Sequence, residues 1–341
     1  MVPHPSLKAA FKRGALIAAA NWPLVAIQFI AEGTLKLLLA VPVVGGVFLV
    51  MLLLGEGAVQ EVLSGDLRAV PAAVFGALLS NPGALVAFVV SFVLVLAGGS
   101  ALTFMVKAGT VSILATAEAE AGPIERPPLR LEAIRSAGRT NIEPFLEGVR
   151  RLWKRYVKLG ACLVLAYLAT GAVYLGFVVG GFTLTANAAA LLGWTIATAL
   201  ASSILLVWIT LLNFLYLLTQ MVIAVEDVGV RAGVRRVAHF IRTSPREVAG
   251  IFGVVLLLVG VATVASILAT AGLGLIAFVP LAGLAVVPLQ LAAWLLRGFV
   301  FEYLALTALG AYLTQYRHYA RAMAAAPLMD VAADVRGKRF A

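Results

Sequence analysis

The sequence predicts an all-α polytopic membrane protein, six transmembrane helices with three cytoplasmic amphipathic surface helices, and three observations carry that prediction. Of 341 residues 62% are hydrophobic and only 12% are charged, at a mean hydropathy of +1.03. Soluble domains carry about 25% charged residues, so half of a water-facing shell is missing and lipid must be the solvent for most of the chain. Six apolar runs are long enough to cross a bilayer, which takes ~20 residues at a rise of ~1.5 Å each. The basic residues fall almost wholly into alternate gaps between those runs.

The first run, 22–54, follows Lys8, Lys12 and Arg13 and contains Glu32 and Lys36. Its second part, 37–54, is 18 apolar residues and would also serve as the span, leaving those two charges at an interface. The second run, 83–117, opens after Asn81 and Pro82. The third and fourth, 158–182 and 187–224, are parted by a short uncharged segment around Asn187, and so are the fifth and sixth, 247–272 and 280–315. Several exceed a ~30 Å hydrocarbon core and must tilt, bend or protrude, with Pro42, Pro280 and Pro288 as places for bends. Residues 1–320 are expected to form a single six-helix domain and 321–341 a cytoplasmic tail. The cations ahead of 15–20 resemble the opening of a signal peptide, but hydrophobicity resumes directly after Asn21, so retention is expected.

Orientation follows from charge, because short cytoplasmic loops collect Lys and Arg. Of 26 basic residues, 22 lie before the first run, between the second and third, between the fourth and fifth, or after the sixth. The opposite gaps hold Arg68 alone, beside Asp66. Both termini are therefore expected in the cytoplasm, and the setting is expected to be a bacterial inner membrane.

Basic amphipathic segments precede three pairs of runs, which suggests an internal repeat. At 141–159, Ile142, Phe145, Leu146, Val149, Leu152, Trp153 and Tyr156 recur at helical spacing against Arg150, Arg151, Lys154 and Arg155. At 229–243, Val230, Val234, Val237 and Ile241 oppose Arg231, Arg235 and Arg236, and the string Gly-Val-Arg-Arg occurs in both segments. A third copy, around Leu7, Phe11 and Gly14, is shorter. Such helices are expected to lie on the membrane surface, with those seven cations as candidate contacts for anionic lipid headgroups, each worth ~1 kcal/mol near the surface. The same residues also serve as plain topological anchors. The net charge of +10 flanks membrane spans and no separate basic domain exists, so nucleic acid is not an expected partner.

The order of basic lead and spans, the stretches Ser64-Gly65-Asp66-Leu67 and Leu78-Leu79-Ser80-Asn81-Pro82-Gly83, and Val225-Glu226-Asp227-Val228-Gly229 before a Gly-Val-Arg-Arg helix resemble the membrane domain of bacterial glycerophosphodiester phosphodiesterases and related stand-alone six-span proteins. In those enzymes a separate soluble barrel performs catalysis, and the longest polar stretch here has no room for one. The resemblance therefore implies a fold and a lipid-rich setting, with no catalytic residue.

Catalysis needs converging acid, base, nucleophile or metal groups. The histidines are His4, His239 and His318, the one cysteine is Cys162, and no metal-ligating spacing, nucleophile elbow or phosphate loop is present. No catalytic, cofactor or metal site is expected. The informative residues are charges within apolar runs, each costly in hydrocarbon unless paired or wetted. Glu32, Lys36, Arg297 and Glu302 form a candidate buried charge cluster, with Gln28, Asn213, Gln220 and Gln290 as extensions or as isolated interhelical hydrogen bonds. Gly176 with Gly180, and Ala249 with Gly253, have the small-residue spacing of close helix packing. Together these features lead to a protein that binds or moves a lipid-like amphipathic molecule within its helix bundle; the alternative is a non-catalytic scaffold or accessory subunit of a larger membrane complex. Membrane lipids, and protein partners within the membrane, are the expected associates.

Overall fold

A computed structural model describes residues 6–63, 76, 79–185, 188–277 and 282–339. Among them the chain forms nine α-helices: α1 (Leu7–Ala20), α2 (Trp22–Leu63), α3 (Pro82–Glu120), α4 (Leu131–Ser136), α5 (Ile142–Leu184), α6 (Ala188–Glu226), α7 (Val230–Thr243), α8 (Pro245–Ala277) and α9 (Ala282–Arg339). Six of these, α2, α3, α5, α6, α8 and α9, are long and apolar enough to cross a membrane. The expected outer stretch 64–68 and the expected bend at Pro280 lie outside the described residues.

The surface segments differ from expectation in an instructive way. The 141–159 segment is not a separate helix: it is the start of α5, which continues unbroken for 43 residues. Nothing between Phe145 and Leu159 stops a helix, since the one nearby proline, Pro144, falls in the first turn where its missing N–H costs nothing. By contrast α1 and α7, each of 14 residues, end at single-residue joints, Asn21 and Ser244, before the next long helix. Prolines again sit in the first turn, Pro23 of α2 and Pro245 of α8. The expected tail also continues as helix, since α9 runs without interruption to Arg339.

The chain divides into two compact units. The first comprises residues 1–29, 106–155 and 217–341, and with the exception of Tyr156 it holds the largest side chains that lose all solvent contact, among them Ile17, Leu114, Leu218, Met221, Phe240, Ile251, Tyr312 and Tyr316. Its most extensive packing is α1 against α9, then α9 against α8. The inward face of α1 (Ala10, Gly14, Ile17, Ala18) is buried there, so that face meets protein and not lipid. Gly14 crosses Gly310 so closely that a Cβ on Gly14 would stand 2.5 Å from the Thr307 carbonyl oxygen and 2.6 Å from the Ala311 nitrogen. α7 turns part of its apolar face to protein: Gly233, Val237 and Phe240 are buried, and Phe240 meets Tyr316 edge-on at 5.2 Å, while Val234 stays exposed.

The second unit comprises residues 30–105 and 156–216. There α2 and α3 run antiparallel, with Leu35 beside Gly99 and Phe88 beside Gly46. α5 and α6 also run antiparallel, joined by four hydrogen bonds whose partners recede in opposite order. Tyr167 donates to Asn213 Oδ1 (2.6 Å), Trp208 to Thr170 Oγ1 (3.1 Å), Tyr174 and Ser202 share a bond of 2.6 Å, and Trp194 donates to the Val178 carbonyl (3.3 Å). At ~0.6 kcal/mol per bond in a bilayer, the ladder contributes roughly 2 kcal/mol and fixes the register of the pair. Trp194 packs on Gly181; nothing among the described residues approaches Gly176, Gly180 or Gly253. The expected small-residue contacts are thus replaced by an aromatic seated one residue further on. No residue of the most apolar 18-residue window of α5 or α6 is buried, as befits helices solvated by lipid.

Candidate functional site

Polar groups gather at two places in the first unit. At the C-terminal end of α3, Glu118 is buried, its side chain 7% exposed, between two arginines. Arg13 Nε lies 3.3 Å from one carboxylate oxygen and Arg317 Nε 2.8 Å from the other. Arg13 also reaches Glu125 at 2.9 Å, so two cations meet two anions and the node is neutral. The guanidinium of Arg13 does more than balance charge. It donates to the carbonyls of Glu118 (2.9 Å), Ala121 (2.6 Å) and Gly122 (2.7 Å), closing the last turn of α3, whose final carbonyls have no partner within the helix. With the two carboxylates, all five of its N–H donors are used. Arg317 adds a bond of 2.6 Å to the Ala115 carbonyl.

Fully buried Asn21, the joint between α1 and α2, is equally satisfied. Its amide donates to the carbonyls of Ile17 (2.9 Å) and Ala137 (3.2 Å), and its oxygen accepts from the Arg139 backbone N–H (2.7 Å) and the Thr140 hydroxyl (3.1 Å). A third ionic contact forms at the α6–α7 turn, where Asp227 has a left-handed backbone (φ 52°), a conformation aspartate tolerates better than most residues. Its carboxylate accepts from Arg155 (2.6 Å) and lies 3.9 Å from Arg151. Neighbouring Glu226 pairs with Arg236 and accepts the Tyr316 hydroxyl. Three of the seven candidate headgroup cations, Arg151, Arg155 and Arg236, are therefore held by carboxylates of the same turn. Arg150, Lys154, Arg231 and Arg235 are exposed.

The second gathering is a groove of about 530 Å³ between α8 and α9. Small residues of α8 (Ala262, Ala265, Ala269) form one wall; Trp294, Val300 and Phe301 of α9 form the other. Into this apolar trough come a few polar groups: Ser266, Thr270, Gln290 and Arg297. The Arg297 guanidinium lies over the Phe301 ring, 5.7 Å from its centroid, a cation–π arrangement one helical turn apart.

The four charges expected to form a buried cluster are placed differently from one another. Glu302 is buried. Glu32 meets Lys36 at 3.8 Å within one turn of α2, and Lys36 is 71% exposed. Arg297 is exposed in the groove. Of the four only Glu302 is buried: Glu32 is partly covered, and Lys36 and Arg297 are exposed. The Arg13–Glu118–Arg317 node escaped sequence reasoning because each residue lies beside an apolar run and not within one, where a solvated charge is the ordinary expectation. Asn21 carried only the signal of a break. Among the described residues no group of three His, Cys, Asp or Glu comes together.

The node is closed by charge, since its two carboxylates lie against its two arginines. The groove is open, with an unneutralised cation on an apolar wall, and is the place where a ligand can be held. With six helices of spanning length and hydropathy the chain is an integral membrane protein, and no family model, curated protein or solved structure matches it.

Proposed function

We propose that this protein binds or moves a lipid-like amphipathic molecule, and that the α8/α9 groove holds it. The carrying observation is the groove's composition: about 530 Å³, within the range of ligand sites, lined by apolar side chains with few polar groups. An amphipath presents the complementary pattern. The resemblance carried by 225–229 and the Gly-Val-Arg-Arg strings supports a lipid-rich setting. Native mass spectrometry of the full chain after mild detergent extraction tests the reading. The wild type is expected to retain a lipid-like adduct, and Ala265→Trp, which fills the trough, to lose it. An adduct unchanged by that variant would overturn the reading, and a protein retained in its place would favour the scaffold alternative.

The setting we propose is a bacterial inner membrane with both termini in the cytoplasm, supported by the 22 cations in alternate gaps and by the exposure of Arg150, Lys154, Arg231 and Arg235, which suits anionic headgroups. The shared plan of α1–α2 and α7–α8, a 14-residue helix and a one-residue joint, supports a repeated unit of which α5 is a fused copy. In a Cys162→Ala background, cysteines at Ser80 and Leu129 are expected to label from opposite sides of intact cells. Labelling of Leu129 alone from outside would reverse the topology, and labelling of both would remove α3 as a span.

A further inference from the structure

We infer that the amphipath held by the α8/α9 groove is an anion, with a phosphate or carboxylate headgroup seated on Arg297; this rests on the groove reading and adds the headgroup class. None of the ion pairs among the described residues includes Arg297, whereas Arg13, Arg139, Arg151, Arg155, Arg236 and Arg317 each have a carboxylate within the 4.0 Å limit of such a pair. A cation in an apolar trough within a spanning helix is expensive unless an anion, water or the interface receives it. The Phe301 ring supplies part of that compensation, and no hydrogen bond from the Arg297 guanidinium to the described residues competes for its N–H donors.

Two further features fit an oxyanion more than a neutral or cationic headgroup. The groove's remaining polar groups, Gln290 and the hydroxyls of Ser266 and Thr270, include donors and no carboxylate. The Thr270 hydroxyl is spent on its own helix at the Ser266 carbonyl (2.8 Å), so the donors left for an anion are those of Arg297, Gln290 and Ser266. A planar fork backed by an aromatic ring favours bidentate phosphate or carboxylate, which lysine cannot reproduce with a point charge. The small-residue wall of α8 leaves room beside the fork for an alkyl chain.

The test is competition on the full-length purified protein, read by native mass spectrometry with three probes: a phosphatidylglycerol, palmitate and a monoacylglycerol. The wild type is expected to prefer at least one anionic probe over the neutral one by about ten- to a hundredfold, the span of a charge-assisted hydrogen bond. The stronger anionic probe identifies the headgroup as phosphate or carboxylate. Arg297→Leu is expected to abolish the preference and Arg297→Lys to retain only part of it, with thermal unfolding confirming that each variant is folded. Should Arg297→Leu not fold, Arg297→Gln carries the same comparison. If Ala265→Trp removes all three probes while Arg297→Leu keeps the anionic preference, the groove reading stands and the headgroup inference is wrong. If Ala265→Trp removes none, the groove reading itself fails. Equal binding of all three probes to the wild type overturns the inference alone.

Discussion

Replacing Arg13 with leucine is expected to destabilise the protein by about 3–5 kcal/mol, because it leaves a buried carboxylate half-neutralised and strips the end of α3 of its partners. Arg317 would remain beside Glu118, but the carbonyls of Glu118, Ala121 and Gly122 would each lose a donor, the first two in partly buried positions. Arg13→Lys tests the geometry separately from the charge. An ammonium has three donors and no fork, so it cannot span two carboxylates and three carbonyls, and it is expected to recover less than half of the loss. Pairing Arg13→Leu with Glu118→Leu should return part of the stability, since the stranded charge goes with its partner. Thermal unfolding in a fixed detergent reads all three. Arg13→Lys with the midpoint of the wild type would show that net charge alone matters there.

Gly14→Leu is expected to prevent α1 from docking, and the smaller change Gly14→Ala to cost about 1–3 kcal/mol, the usual penalty of overpacking. The sign is the informative part. Within a helix glycine to alanine ordinarily gains up to ~1 kcal/mol from reduced backbone freedom. At Gly14 the added Cβ meets main-chain atoms of α9, which have no flexible end to swing away. Gly33, with nothing within 4 Å of its added Cβ, is the matched control, and Gly33→Ala is expected to be neutral or mildly stabilising. Equal responses at the two positions would mean that the crossing is looser than the backbone distances indicate.

The spans were legible because their signal is a sum over twenty or more side chains, and helix α6 between Ala188 and Glu226 needs no neighbour to declare itself. The packing between them was not, because it depends on register. Tyr167, Trp194 and Trp208 read along the chain as apolar bulk, and only the antiparallel alignment of α5 with α6 reveals them as hydrogen-bond donors. Asn213 alone had drawn attention. Amphipathicity has a specific limit: α1 and α7 have an apolar face as a surface helix does, but periodicity says only that the face is covered, not whether lipid or protein covers it. Charge patterning had the same limit. It separated the two sides of the membrane, yet treated Arg13, Glu118 and Arg317 as ordinary loop charges, when they are the polar centre of a packed unit. Arg297 stands out in the sequence as a charge in an apolar run, but its place is the open α8/α9 groove, which no pattern along the chain announces.

The node also has a consequence for how the chain is made. Arg13 and Glu118 leave the ribosome early, but Arg317 follows Glu118 by roughly 200 residues, about 10–40 s of synthesis at ~5–20 residues per second. Throughout that interval the end of α3 has one of its two arginines, and α1 has no α9 to pack against. Emergence of α9 is therefore the event that locks α1 and the end of α3 in place. A chain ending before Tyr316 would keep the sixth run, 280–315, but would lack Arg317 and carry an unsealed acidic end, a form that quality-control proteases can distinguish by local opening alone.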